Sequence, residues 1–251
     1  MKWRKFWISW GRWKLNPKLD WVEGAKRKAA LEAVKHVKDG FVVGLGSGST
    51  AAYAIEALGE RVKHENLHIF GVPTSYQSFL LAVKHGIAVT TLEEHPIVDV
   101  TIDGVDQVDS ELNLIKGMGA ALAREKIVAS ASKRNVIIAD ESKKVKVLGE
   151  NNHPVPVEVL PFAISIVKRR IEGIGGKPSL REGKGKVGPV ITDNGNVVID
   201  AVFGRIDNAA ELEKKLKMIP GVVETGLFVG LADTVYIATS SSVEKIERKR
   251  K

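Results

Sequence analysis

The 251-residue chain contains no cysteine. That excludes disulfides, thiolate zinc sites, iron–sulfur clusters and cysteine nucleophiles, and it fits a reducing cytoplasm, the expected location. No apolar run reaches the ~18 residues needed to span a bilayer. The six histidines are scattered, with no pair at ligand spacing on one helix face, which argues against a metal site; no cofactor is expected. Aromatic residues are scarce, at 6%, and unevenly placed: all five tryptophans (Trp3, Trp7, Trp10, Trp13, Trp21) fall in the first 21 residues.

An excess of one charge is also missing from most of the chain. The net charge is +8, but residues 1–21 supply +5 and residues 244–251 supply +3. The 222 residues between them hold 27 basic and 27 acidic side chains. A neutral body argues against a nucleic-acid partner. Residues 1–21 therefore read as a basic, Trp-rich extension, and residues 246–251 as a basic tail. Trp3, Trp7, Trp10 and Trp13 share one face at helical spacing, and with their basic neighbours would suit an anionic membrane surface. The preferred expectation is an extension dispensable for catalysis, because Gly11 and the Asn16-Pro17 pair would interrupt or end a helix there.

From Glu23 onward, helical and strand patterns alternate. Helices are expected over Glu23–Lys38, Thr50–Leu58, Tyr76–His85 and Gly119–Ser132. Apolar strands are expected at Phe41–Gly44, His68–Val72, Ile97–Asp103 and Asn135–Ala139. Strands that are continuously apolar and alternate with helices indicate an open, mostly parallel sheet covered on both faces, an α/β fold. The rhythm changes near Asn151. Strand Pro154–Val159, helix Pro161–Ile171, a hairpin turning at Asp193-Asn194-Gly195-Asn196, helix Ala209–Met218 and strand Val222–Phe228 suggest a split βαβ, ferredoxin-like α+β unit. Thr234–Ala238 would return to the main sheet. The expected division is a main catalytic domain over 22–150 and 229–245, and a smaller domain over 151–228.

Three segments carry candidate chemistry. Gly44-Leu45-Gly46-Ser47-Gly48-Ser49-Thr50 joins a strand to a helix, where backbone N–H groups and the positive helix end suit an anion. It lacks the lysine of a Walker loop and has Ser49 at the third glycine position of a dinucleotide fingerprint. The plainer alternative is a tight turn with a serine cap. Asp103-Gly104-Val105-Asp106 places two carboxylates at the carboxyl end of a strand, where ligands gather in parallel sheets. Lys116-Gly117-Met118-Gly119 opens a helix in which Glu125 lies between Arg124 and Lys126; ordinarily such a glutamate is a surface residue paired with its neighbours. Lys143, after the fourth strand, is a further anion-binding candidate.

Taken together, these segments closely resemble the type A ribose-5-phosphate isomerases. The resemblance is carried by Val43–Thr50, Thr101–Asp106, Ile115–Leu122, Arg124–Lys126 and Ile138–Lys143, and by Pro154–Val159, Val190–Asn196, Ile219–Val223 and Gly226–Phe228, in family order from about Glu23 to Lys245. It implies interconversion of ribose 5-phosphate and ribulose 5-phosphate, in the non-oxidative pentose phosphate pathway, without a metal, by a homodimer or homotetramer. By matching positions, it implies that Glu125 moves the proton between C1 and C2. Asp103, Asp106 and Lys116 would handle the ring oxygen, hydroxyls and enediolate. Ser47, Gly48, Ser49, Thr50, Lys26, Lys143, Gly117 and Gly119 would form the substrate-binding rim. Gln107 stands where an acid is usual, and Met118 where a glycine is common, which would narrow the site. The rival expectation is a non-catalytic sugar-phosphate-sensing domain of the same fold, which could dispense with Glu125.

Overall fold

The computed structural model describes residues 17–248. Trp3, Trp7, Trp10 and Trp13, and the last three residues of the basic tail, lie outside the described residues. Among the described residues there are six α-helices: α1 (Pro17–Ala33), α2 (Ser49–Glu65), α3 (Tyr76–Lys84), α4 (Leu122–Ser130), α5 (Ile164–Gly173) and α6 (Ala209–Lys217). The first begins at Pro17, six residues earlier than its apolar pattern suggested. Proline has a preset φ and no N–H to lose at a first helical position, so it opens this helix instead of ending one.

The main sheet has seven strands: β1 (Val42–Leu45), β2 (Phe70–Pro73), β3 (Ala88–Val89), β4 (Val100–Gly104), β7 (Asn135–Asp140), β13 (Thr234–Ala238) and β14 (Val243–Glu247). Their order is β14-β13-β7-β4-β1-β2-β3, and every pairing is parallel except β13 with β14. β1, β4, β7 and β13 are buried along their whole length, which explains their unbroken apolar sequences. Alternate side chains serve opposite faces. Val43, Leu45, Val136, Ile138 and Tyr236 pack with the alanines of α1 and with Ile55 and Leu58 of α2. Ile137, Ala139, Val235 and Ile237 pack on the other side around Phe228.

The smaller unit contains β8 (Val155–Val159), β9 (Lys177–Leu180), β10 (Val197–Val202) and β11 (Val222–Thr225) in the all-antiparallel order β11-β8-β10-β9. With α5 and α6 this is the expected split βαβ arrangement. Val155, Val157 and Val159 pack with Val167 and Ile171 of α5 and Leu216 of α6. The alternation of β8 therefore puts Pro156 and Glu158 on the opposite face. A third, small sheet of β5 (Gln107–Val108), β6 (Leu114–Ile115) and β12 (Leu227–Phe228) joins the two units. It splits the single strand expected over Val222–Phe228 at Gly226. No helix among the described residues is long and apolar enough to cross a membrane.

Candidate active site

β1 is the point from which successive strands depart in opposite directions, β2 to one side and β4 to the other. Crevices open at such switch points, beyond the strands' carboxyl ends. A cavity of about 230 Å³ lies there, lined by eleven of the twelve candidate residues: Lys26, Ser47, Gly48, Ser49, Thr50, Asp106, Lys116, Gly117, Gly119, Glu125 and Lys143. A wider groove of about 1010 Å³ runs along α1 and α2, but it lies away from the strand ends, and charges in it pair with each other, as in Glu32–Lys35 and Arg61–Glu65.

Lys116 is the centre of the cavity floor and is 3% exposed. Its Nζ donates to the Gly104 carbonyl (2.7 Å) and lies 3.1 Å from Asp103 Oδ2 and 3.2 Å from Glu125 Oε2. Burial disfavours its charge, but Asp103, Glu125 and Asp106 outweigh that effect and hold its pKa above the usual lysine value. The backbone brings it there by close packing. Lys116 N donates to the Gly226 carbonyl (2.8 Å), and a Cβ on Gly226 would stand 2.2 Å from the Lys116 carbonyl oxygen. The Phe228 ring lies beneath the ammonium, 5.5 Å from its centroid.

Asp103 is the one candidate that does not line the cavity. It is 2% exposed and sits behind Lys116, where its Oδ1 accepts from the backbone N–H of Ser47 (3.1 Å) and Gly104 (2.7 Å). This explains Gly46: a Cβ there would fall 2.2 Å from Asp103 Oδ1. Burial pushes the Asp103 pKa up, against the pull of Lys116 and the two N–H donors.

Glu125 is less well provided for. The helix carrying it starts at Leu122, not Gly119, because Ala120 adopts a left-handed conformation (φ 60°) that α-helix cannot accommodate. Glu125 therefore lies in the first turn of α4 and is 4% exposed, not a surface glutamate paired with its sequence neighbours. Its Oε2 has a charge contact with Lys116 but no hydrogen bond. Burial first, then the negative charge of Asp103, push its pKa up to about 8. Two carboxylates share one ammonium, burial raises the proton affinity of both, and only Asp103 also accepts from backbone N–H groups.

The rim has the chemistry of an anion site. Gly48, with φ 94°, precedes α2 and provides no side-chain cap, so the serine cap considered above is not formed and the first N–H groups of a 17-residue helix have no such partner. The Ser47 hydroxyl is spent internally, on Thr74 (2.8 Å) and Ser75 (2.6 Å), while Ser49 Oγ accepts from Lys26 (3.1 Å). Asp106 Oδ2 accepts from Met118 N (3.0 Å), which ties the Gly117–Gly119 loop to the end of β4. Met118 does not narrow the site: its side chain is 44% exposed and does not line the cavity. Gln107 departs from an acid for a reason visible here, since it accepts from Gly149 N (2.8 Å) and donates to the Glu150 carbonyl (3.0 Å), and a carboxylate lacks the donor. Among the described residues no group of three or more histidine or acidic side chains is arranged to hold a metal ion.

Two supporting arginines escaped sequence reasoning. Arg181, from the smaller unit, donates to the carbonyls of Gly117 (2.8 Å) and Met118 (3.0 Å) and pairs with Asp200. Arg124 reaches the Asp193–Asn194 turn. Neither has a local sequence signal for the loop it reaches, because the Gly117–Met118 carbonyls and the Asp193–Asn194 turn lie more than sixty residues from Arg181 and Arg124 respectively.

The chain is similar to known proteins over most of its length. The family profile of ribose 5-phosphate isomerase A (phosphoriboisomerase A) matches residues 70–242. The ribose-5-phosphate isomerase A of Methanothermobacter thermautotrophicus is 53% identical over 219 residues, covering 87% of this chain and 96% of that protein. Its counterpart from Pyrococcus horikoshii is 47% identical, covering 90% and 99%. Among solved structures, ribose 5-phosphate isomerase A from Methanocaldococcus jannaschii superposes with a TM-score of 0.86 at 48% identity, covering 90% of this chain and 99% of that one. A D-ribose-5-phosphate isomerase in complex with phospho-erythronic acid superposes at 0.88 and 47% identity, with the same coverage. With fold, motif order and near-complete coverage in agreement, the chain belongs to the ribose 5-phosphate isomerase A family.

Proposed function

We infer that this chain interconverts D-ribose 5-phosphate and D-ribulose 5-phosphate through an enediolate, using its own side chains without a metal or organic cofactor. The observation that carries this is a buried carboxylate of raised proton affinity, Glu125, held 3.2 Å from a fixed ammonium, Lys116, at the floor of a cavity with a cationic rim. Aldose-to-ketose conversion removes a proton from C2 and returns it to C1, and one carboxylate placed beside both carbons performs both transfers. As the proton leaves, negative charge spreads over O1 and O2. Lys116 is already charged and anchored, so it stabilises that charge without reorganising. Asp106, at the cavity wall, accepts from sugar hydroxyls. Asp103 contacts Lys116 and not the cavity, so its part is to position the ammonium.

The phosphate fits the opposite side, against the start of α2 with Ser49, Thr50, Lys26 and Lys143. Binding energy gathered there orients the reacting carbons. A sugar-phosphate sensor needs the rim but has no use for a poised carboxylate beneath it. Incubation with ribose 5-phosphate, followed by an assay for ribulose 5-phosphate before and after EDTA treatment, tests both parts. Binding without turnover would favour the sensor, and loss of turnover with EDTA that a divalent metal restores would refute the cofactor-free mechanism.

A further inference from the structure

Glu158 is fully buried in β8, on the face turned away from α5 and α6, and lies outside the cavity. Its Oε1 accepts three hydrogen bonds, from Thr192 Oγ1 (2.9 Å), Asn194 Nδ2 (3.0 Å) and Asn196 Nδ2 (2.7 Å). All three donors belong to one turn, which is closed internally by Thr192 N to the Asn196 carbonyl (2.8 Å) and Gly195 N to the Thr192 carbonyl (2.9 Å). A buried carboxylate this heavily committed fixes the turn to the sheet of the smaller unit.

From that anchor the turn reaches the main unit in two places. Arg124 donates through Nε to Asn194 Oδ1 (2.7 Å) and through Nη2 to the Asp193 carbonyl (2.8 Å). Arg124 immediately precedes Glu125, in a helix whose N-terminus has no side-chain cap of its own. Separately, Asp193 Oδ2 accepts from Tyr76 N (2.8 Å), the first residue of α3. The next residue of α3, Gln77, accepts from Gly48 N (2.8 Å), and its cap Ser75 is bonded to Ser47.

We propose that the Thr192–Asn196 turn is a two-armed positioning element, in which the Arg124 arm sets Glu125 and the Asp193 arm sets the Ser47–Thr50 rim. The inference rests on the roles proposed above for Glu125 and the rim. Proton transfer is sensitive to placement: a displacement of ~1 Å can cost on the order of 10²-fold in rate. Because the arms end on different parts of the site, their loss should affect different kinetic constants. Simple glue between the units would instead change stability alone, or both constants together.

The test is steady-state kinetics on the full chain. Arg124→Ala should lower kcat by about tenfold or more with KM within about twofold of the parent, and Arg124→Lys, which keeps the charge but loses the planar fork, should behave similarly. Asp193→Ala should raise KM by about fivefold or more with kcat nearly unchanged, while Asp193→Asn, which retains an accepting oxygen, should restore KM. Glu158→Leu should combine both defects, and Glu158→Gln, which also keeps an accepting oxygen, should escape them. Normal kinetics in the Arg124 and Asp193 variants, or the same constant changed by both, would overturn the proposal; so would full rescue by Arg124→Lys. Should Glu158→Leu fail to fold, the two arms still decide the matter. If Glu125→Gln is inactive while Arg124→Ala is normal, the positioning element alone is refuted; if Glu125→Gln is active, the catalytic assignment beneath it is refuted.

Discussion

Glu125→Gln should abolish turnover and yet stabilise the protein at alkaline pH. Losing a general base costs ~10²–10⁴-fold in rate. The stability effect follows from the charge count at the cavity floor: Asp103 and Glu125 carry two negative charges around the single positive charge of Lys116. An acid held at about 8 instead of its ordinary 4.5 is on the order of 5 kcal/mol poorer as an anion. The sign is that of a raised folded-state pKa: the stabilising share is complete below pH 4.5 and is lost as pH rises through about 8. Water entry and side-chain relaxation reduce the loss, and ~2 kcal/mol is a conservative remainder. For a chain of this size that is ~4–8 °C in Tm. The glutamine keeps an oxygen for Lys116 and leaves one charge of each sign, so this loss does not occur in the variant. Thermal unfolding of both proteins at pH 5 and pH 9 gives the comparison. The Tm of the parent should fall more steeply between those values, and the inactive variant should be the more stable at pH 9. A variant less stable than the parent at pH 9, or one that retains turnover, would refute the picture of Glu125 as a poorly solvated base.

Because Glu125 must be ionised to accept a proton, kcat/KM should rise with pH toward a midpoint near 8, and a flat profile from pH 6 to 9 would assign the base elsewhere. Lys116→Met should remove activity and leave two buried carboxylates without a counter-charge; the deficit should be about 3–5 kcal/mol at pH 8 and smaller at pH 5, as denaturant titrations at the two values would report. Gly46→Ala should impair turnover although residue 46 touches no substrate in the proposed mechanism, because its Cβ would displace Asp103 and through it Lys116; normal activity would show that this support is not needed.

The parts of the fold legible in the sequence were those with local signatures. β1, β4, β7 and β13 are buried on both faces and read as unbroken apolar runs. β14 escaped notice because its sequence, Val243-Glu244-Lys245-Ile246-Glu247, belongs to an exposed sheet edge where charge blurs the pattern. β5, β6 and β12 are two residues long, too short for any periodicity. The late start of α4 depends on one left-handed alanine, for which composition offers no signal. The site was legible as a set of residue types at strand ends and loops. Which of them faces the cavity was not, since Asp103 and Asp106 look alike in sequence and differ only in what packs against them. The Asp193–Asn196 segment was recognised as a reversal of the chain, but its hold on Arg124 and Tyr76 required the folded structure.

The packing of Lys116 on Gly226 and Phe228 has a consequence for the order in which the molecule acquires activity. Every residue lining the cavity precedes position 144, whereas the backbone that seats the ammonium comes more than eighty residues later. During synthesis the chain therefore exposes a complete set of reactive side chains long before they are arranged. The smaller unit must form, and β12 must pair with β6, before the lysine is seated. Contacts of such sequence separation form late and slowly. Maturation of the active centre is thus coupled to completion of the whole fold, and a partly made chain cannot turn over sugar phosphate. Nascent chains halted before Gly226 should be inactive, and turnover in them would mean that Lys116 can find its place without that strand.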